Sequence, residues 1–247
     1  MKHTRNIVRV AFLLTALLLV SPALRAQLDD TGLRFGFKAG LGSADLSLSK
    51  FCKLGESRTT FSLGGFAEYR LMPWLSATVG LEYTQNGGSN VPPRMLYSAI
   101  SQLLSQEIPD GGEVSMIRTN LRIHTLEIPV AGRVSLPESG NFKPFFMVGP
   151  SFGFRLGATS TFYREYVFAP GIASHPVAVS SDKVKEKISP VNVSALLGVG
   201  SEFSAYDKIF ELGVTYRLGL VNQNNFFEGQ YQQYTSNSLM GYIAFKF

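Results

Sequence analysis

The chain has a single cysteine, Cys52, so no internal disulfide can brace it. Downstream of residue 26 it has no apolar run near the roughly 20 residues that a membrane helix needs. It is poor in histidine, with three in all, and only His124 and His175 lie beyond the first 26 residues. No metal-ligand spacing, phosphate-cradling loop or nucleotide fingerprint occurs, so no metal or cofactor is expected. Net charge is also scarce once its location is considered. Lys2, Arg5, Arg9 and Arg25 are four of the 23 basic residues, and none of the 18 acidic ones lies among the first 26. The remainder is close to neutral, which gives a nucleic-acid partner no support.

The first 26 residues have the make-up of an export signal. A basic stretch (Lys2, His3, Arg5, Arg9) precedes the apolar run Val10 to Val20, and small residues lead to Ala26. That run is too short to span a bilayer. No cysteine stands at the expected cut, where Gln27 follows Ala26, so a lipid anchor is not expected. The division is therefore a signal peptide over 1–26 and one β domain over 27–247, the barrel itself running from about residue 31.

What the chain has in abundance is two-residue alternation. Eight segments show it: Leu33 to Gly42, Thr59 to Leu71, Trp74 to Asn86, Asn120 to Leu136, Lys143 to Thr159, Val191 to Phe203, Ile209 to Val221 and Ser236 to Phe247. Each is long enough to cross a bilayer at a tilt, which takes about 9–11 residues. In the fourth, Leu121 and Ile123 fall out of phase with Leu126 and Ile128, which predicts a bulge near His124. Tight turns are expected around Pro73, Gly140 and Asp207, and long connections over 43–58, 87–119, 160–190 and 222–235. Alternating short and long connections match periplasmic turns and extracellular loops. In the last segment Leu239, Ile243, Phe245 and Phe247 share one face; this strand is expected to close the wall and to be the one offered to the barrel-assembly machinery.

Alternation cannot say which face meets lipid, since a soluble barrel of lipocalin type alternates too. The polar face decides. It carries mid-strand glycines, including Gly36, Gly64, Gly149, Gly198, Gly200 and Gly213. A solvated sheet has no use for them there, whereas a narrow lumen must make room for large neighbours. The same face carries Glu68, Arg70, Glu82, Glu127, Arg133, Arg155, Glu202, Glu211 and Arg217. Charges taken out of water persist when paired, so these nine are expected to form an ion-pair network that plugs the lumen. Tyr69, Trp74, Tyr83, Phe203, Tyr206 and Phe247 fall where interfacial aromatic girdles would lie. The fold class is thus all-β: an eight-stranded antiparallel transmembrane β-barrel with long extracellular loops and short periplasmic turns, in contact with outer-membrane lipid.

The order of the strand motifs LRFGFKAGLGSADL, LEIPV, KPFFMVGPSFGFRLG, LLGVGSEF and ELGVTYRLGL resembles the small outer-membrane barrels of the Bacteroidetes PorT type. The resemblance covers nearly the whole chain after residue 26. It implies a barrel in a Gram-negative outer membrane and, through the family's founding member, a link to type IX secretion and a secretion-complex or other envelope partner. The long second connection departs from the plainest members.

That connection holds Pro92-Pro93 and then Leu96, Ile100, Leu103 and Leu104 at helical spacing over Arg94 to Glu107. The stripe fits a helix folded over the barrel mouth or one that docks a partner. The third connection holds Tyr163, Tyr166, Phe168 and the run Lys183 to Lys187. A lipid-modifying enzyme would need a histidine with a serine and a carboxylate at the rim. His124 is at the outer end of its strand, with Ser98, Ser101 and Glu107 in the preceding connection, but no spacing ties them together. A non-enzymatic outer-membrane protein is expected, acting through its loops or within an envelope assembly; a small passive pore and an outer-membrane lipid hydrolase are the alternatives.

Overall fold

A computed structural model describes residues 32–49, 52–53, 55–89, 113–169, 172–173, 177–183, 188–205, 208–223 and 234–247. Eleven strands form one sheet: β1 (Leu33–Ser49), β2 (Cys52–Lys53), β3 (Arg58–Met72), β4 (Leu75–Gly88), β5 (Glu113–Ser135), β6 (Phe142–Ala169), β7 (Ile172–Ala173), β8 (Val177–Lys183), β9 (Val191–Ala205), β10 (Lys208–Gly219) and β11 (Thr235–Lys246). Eight are staves. β1, β3, β4, β5, β6, β9, β10 and β11 pair in turn, all antiparallel, and β11 returns to β1 from Gly36↔Lys246 to Ser47↔Thr235. Closure leaves the wall no edge, so each stave satisfies its backbone groups on both sides.

The side chains sort as in a membrane barrel and not as in a soluble one. Leu41, Leu63, Val148 and Ile243 point outward and are 69%, 62%, 59% and 60% exposed, whereas Glu82, Arg133, Arg217 and Lys246 point inward and are at most 2% exposed. A greasy exterior around a charged interior is stable only where the outside is lipid. Aromatic pairs bind the staves near the turn end: Phe37 with Phe247 at 5.6 Å, Phe210 with Phe245 at 5.4 Å and Phe142 with Phe203 at 4.8 Å between ring centroids. Phe245 and Phe247 thus fasten the last stave on both flanks, and Leu239 is outward and exposed like Ile243. Trp74 and Tyr69 are exposed on the wall at the same end. Tyr206 and the turn at Asp207 lie outside the described residues, as do residues 1–31.

Glycine packs the interior. Rings and a thioether lie where glycine side chains would be: Phe66 over Gly36, Phe145 over Gly200, Tyr242 over Gly213 and Met147 over Gly198, each within 2.7 Å of where a Cβ would stand. These contacts are the close approaches that mid-strand glycine permits.

Two sequence expectations are corrected. First, β5 has no phase change: Leu121, Ile123, Thr125 and Glu127 are all buried and inward. The extra residue is in β6, where His124 pairs Gly157 and Thr125 pairs Arg155, leaving Leu156 unpaired. Leu121 and Ile123 look out of phase in the sequence because the lumen turns apolar toward its outer end, where Leu46, Ala158 and Ile188 are buried too. Second, β5 and β6 run far past the expected strand limits. They have 23 and 28 residues, and they pair as far as Glu113↔Val167. Against the roughly 9–11 residues of a tilted crossing, the 28 residues of β6 make it about two and a half to three times as long as a bilayer crossing requires. β8 adds a third strand along its extension, from Thr159↔Lys183 to Arg164↔Val177, and β7 pairs near its tip. The connection drawn at 160–190 is therefore mostly sheet, a blade rising from the wall.

Candidate functional site: the charged lumen and its outer end

The inward parity of each stave aims its polar side chains at the barrel axis, where they meet in two layers. Nearer the turn end, three carboxylates surround two cations. Arg133 on β5 donates from Nη1 to Glu211 Oε2 at 2.6 Å and from Nη2 to Glu202 Oε1 at 2.8 Å, and Nη1 lies 3.5 Å from Glu68 Oε2. Lys246 on β11 donates to Glu68, Glu202 and Glu211, the last at 3.0 Å. Tyr242 donates to Glu211 Oε1 at 2.5 Å and Ser76 to Glu68 Oε1 at 2.8 Å. The Arg133 guanidinium also stacks 3.5 Å from the Phe145 ring centroid.

The second layer, toward the outer end, is balanced. Lys38 on β1 donates to Glu82 Oε1 at 3.1 Å, and Arg217 on β10 donates to Glu82 Oε2. Arg217 Nε lies 3.0 Å from Glu127 Oε2. Glu127 further accepts from Thr84 at 3.0 Å, Asn86 at 3.2 Å and Ser151 at 3.3 Å. Between the layers lie Phe66, Ala131, Phe145, Met147, Leu196, Tyr242 and Ala244, packed as one apolar cluster. A lumenal cavity of about 30 Å³, lined by Lys38, Glu82, Arg133, Glu211, Phe66 and Met147 among others, touches both layers. That is room for about one water.

Seven of the nine charges singled out from the sequence meet in these layers: Glu68, Glu82, Glu127, Arg133, Glu202, Glu211 and Arg217. Arg70 does not. It has the right parity but lies one pleat beyond Glu68, exposed at the rim. Arg155 does not either; it sits at the outer end, above the second layer, with none of the carboxylates among the described residues. Sequence reasoning missed Lys38, Lys246 and Tyr242, although Lys38 shares parity with Gly36 and Gly40, and Lys246 shares it with Tyr242 and Ala244. The stripe Leu96, Ile100, Leu103 and Leu104 lies outside the described residues, as do Ser98, Ser101, Glu107 and His175.

Residues 25–225 match the model of a family described as outer membrane protein beta-barrel domain. The chain belongs to that family. This outer membrane beta-barrel domain accounts for the inverted polarity, and it places the protein in the outer membrane of a Gram-negative bacterium. Solved structures similar to it include Ail, the attachment invasion locus protein of Yersinia pestis (10% identity over 87% of this chain and 98% of that one, TM-score 0.37). Neisserial surface protein A shows 13% identity over 86% and 97%, with a TM-score of 0.41. OprG of Pseudomonas aeruginosa shows 13% identity over 87% and 94%, with a TM-score of 0.39. No curated protein sequence matches the chain.

On the outer wall His124 takes a partner that hydrolysis would not use. Its Nδ1 lies 2.5 Å from the Tyr83 hydroxyl, and Phe61 stacks on Tyr83 with ring centroids 5.7 Å apart. Among the described residues no serine or carboxylate approaches the imidazole. The group reads as part of the outer aromatic girdle.

Proposed function

We propose that the protein is a non-enzymatic outer-membrane barrel that works through its outer surface while its lumen stays shut to solutes. The carrying observation is that the salt bridges of the two layers, Lys246–Glu211 between neighbouring staves excepted, cross the lumen between non-adjacent staves, so paired side chains occupy the path a solute would take. Eight staves enclose an interior that side chains can fill, which disfavours the passive pore. The β5–β6–β8 blade is the surface offered outward. Among the described residues β5 continues from Glu113 to Thr119 beyond its last β4 partner, giving an extracellular strand edge for another chain to pair with.

Single-channel recording on the refolded protein tests the closed lumen. The expected result is no steady conductance; steady openings altered by Glu82→Gln or Arg217→Gln would overturn the reading. Kinship with PorT-type barrels and a role in type IX secretion are the sharpest version of the proposal and rest on the strand motifs. They require envelope or secretion proteins to co-purify from gently solubilised outer membranes, and to be lost when residues 113–118 and 162–183 are replaced by a short turn. The last stave, with Leu239, Ile243, Phe245 and Phe247, is the segment we assign to the barrel-assembly machinery.

A further inference from the structure

The inward arginines of this barrel are not treated alike. Arg133 and Arg217 each face two or more carboxylates. Arg133 Nε and Arg217 Nε and Nη1 make no hydrogen bond, but their guanidiniums are compensated by those carboxylates. Among the described residues the half-buried Arg155 faces none, and its Nε and Nη1 are shut off from solvent and hydrogen-bond to nothing. Shielded guanidinium nitrogens without an acceptor are costly, and structures that keep them usually hold a water or an ion there.

The surroundings favour an ion of one sign. Arg155 pairs with Thr125, which is buried on the inner face, while its neighbours Phe154 and Leu156 are exposed on the wall. Arg155 therefore aims into the outer end of the lumen. Its backbone N–H is held by Pro190, which fixes it beside Asn192, the inward residue opposite Gly153. The Asn192 Oδ1 is already taken by Gln223 Nε2 at 2.9 Å, which leaves the Asn192 amide nitrogen turned to donate. One inward pair below, Glu127 opposite Gly153 already accepts from Thr84, Asn86 and Ser151 and lies 3.0 Å from Arg217 Nε. The layer beneath is neutral, so among the described residues no carboxylate offsets the positive charge of Arg155.

The geometry points to an oxyanion-binding site at the outer end of the lumen, built on Arg155 with the Asn192 amide nitrogen that Gln223 orients, for a phosphate or carboxylate group. The planar guanidinium fork matches two oxygens of such a group. The site lies above the salt bridges, so its occupancy is independent of whether the lumen conducts. A free anion from the medium and the phosphate of a lipid headgroup share this chemistry.

Isothermal titration of the refolded full chain in zwitterionic detergent tests the site, with inorganic phosphate as one probe and a short-chain phosphatidic acid as the other. The expected result is saturable binding of at least one probe, weakened at least about tenfold in Arg155→Gln and unchanged in Arg70→Gln. Binding of phosphate identifies a solute site; binding of the phosphatidic acid alone identifies a headgroup site. Absence of saturable binding of both probes, or equal binding by Arg155→Gln, overturns the assignment. Heat-modified gel mobility reports whether the variant has folded. Where Arg155→Gln does not fold, Arg155→Lys replaces it: this keeps the charge but loses the fork, and unchanged binding there overturns the assignment as well.

Discussion

Replacing Lys246 with Met should be among the most damaging single changes available to this barrel. Lys246 Nζ is shared by Glu68, Glu202 and Glu211, which come from β3, β9 and β10, and it reaches Glu68 across the seam where β11 meets β1. Without it, three buried carboxylates keep Arg133 as their only cation among the described residues. Removing one partner from a buried ion cluster costs about 3–5 kcal/mol, because the charges left behind stay desolvated. The reverse deletion should be mild. The layer holds one carboxylate more than it has cations, so Glu202→Gln lowers its imbalance and should cost below about 1.5 kcal/mol. The double variant Lys246→Met/Glu202→Gln should then be more stable than Lys246→Met alone. Urea unfolding in lipid vesicles, followed by the fluorescence of Trp74, the one tryptophan of the chain, measures all three. The reasoning is refuted if Lys246→Met costs under about 1 kcal/mol, or if Glu202→Gln costs as much as Lys246→Met.

Gly213→Val should displace the Tyr242 ring, which sits 2.7 Å from the new Cβ, and break its bond to Glu211; a loss of about 1–3 kcal/mol is expected in the same unfolding assay. Arg70→Ala, exposed at the rim, should change stability by less than about 0.5 kcal/mol, and a larger loss would mean it belongs to the lumen after all. His124→Ala should leave folding and heat-modified mobility intact; loss of a lipid-hydrolysing activity in that variant would revive the enzyme alternative.

How much of the barrel is legible in its sequence depends on what each residue faces. Alternation is imposed by lipid on one side and lumen on the other, so the eight staves and the polarity of the wall can be read directly. Parity gives a side but not a depth. That is why it groups Arg70 and Arg155 with Glu68 and Glu127, although one lies a pleat toward the rim and the other a pleat above the second layer. Lys38 and Lys246 escape notice for a related reason. Lys246 ends its strand, where a lysine reads as a snorkelling surface residue, whereas Lys38 is mid-strand with inward parity, and only the folded register brings it to Glu82. The outer parts of β5 and β6 give no signal at all. Above the bilayer both faces of a strand meet water or loops, and stretches such as Glu113 to Asn120 lose the two-residue rhythm.

The unpaired Leu156 sits where the wall hands over to the blade. Bulged strands bend and twist more tightly, so this residue bends the wall where the blade begins, below the further register shifts at Val114/Met116 and Phe162/Tyr163. It shifts the β5–β6 register by one residue, since Thr125 meets Arg155 below and His124 meets Gly157 above, so the pairing on either side of it stays regular. Deleting Leu156 would straighten the mast while the hull keeps its planking, so the posture of the extracellular surface can drift in evolution one residue at a time without any renegotiation of the tube beneath.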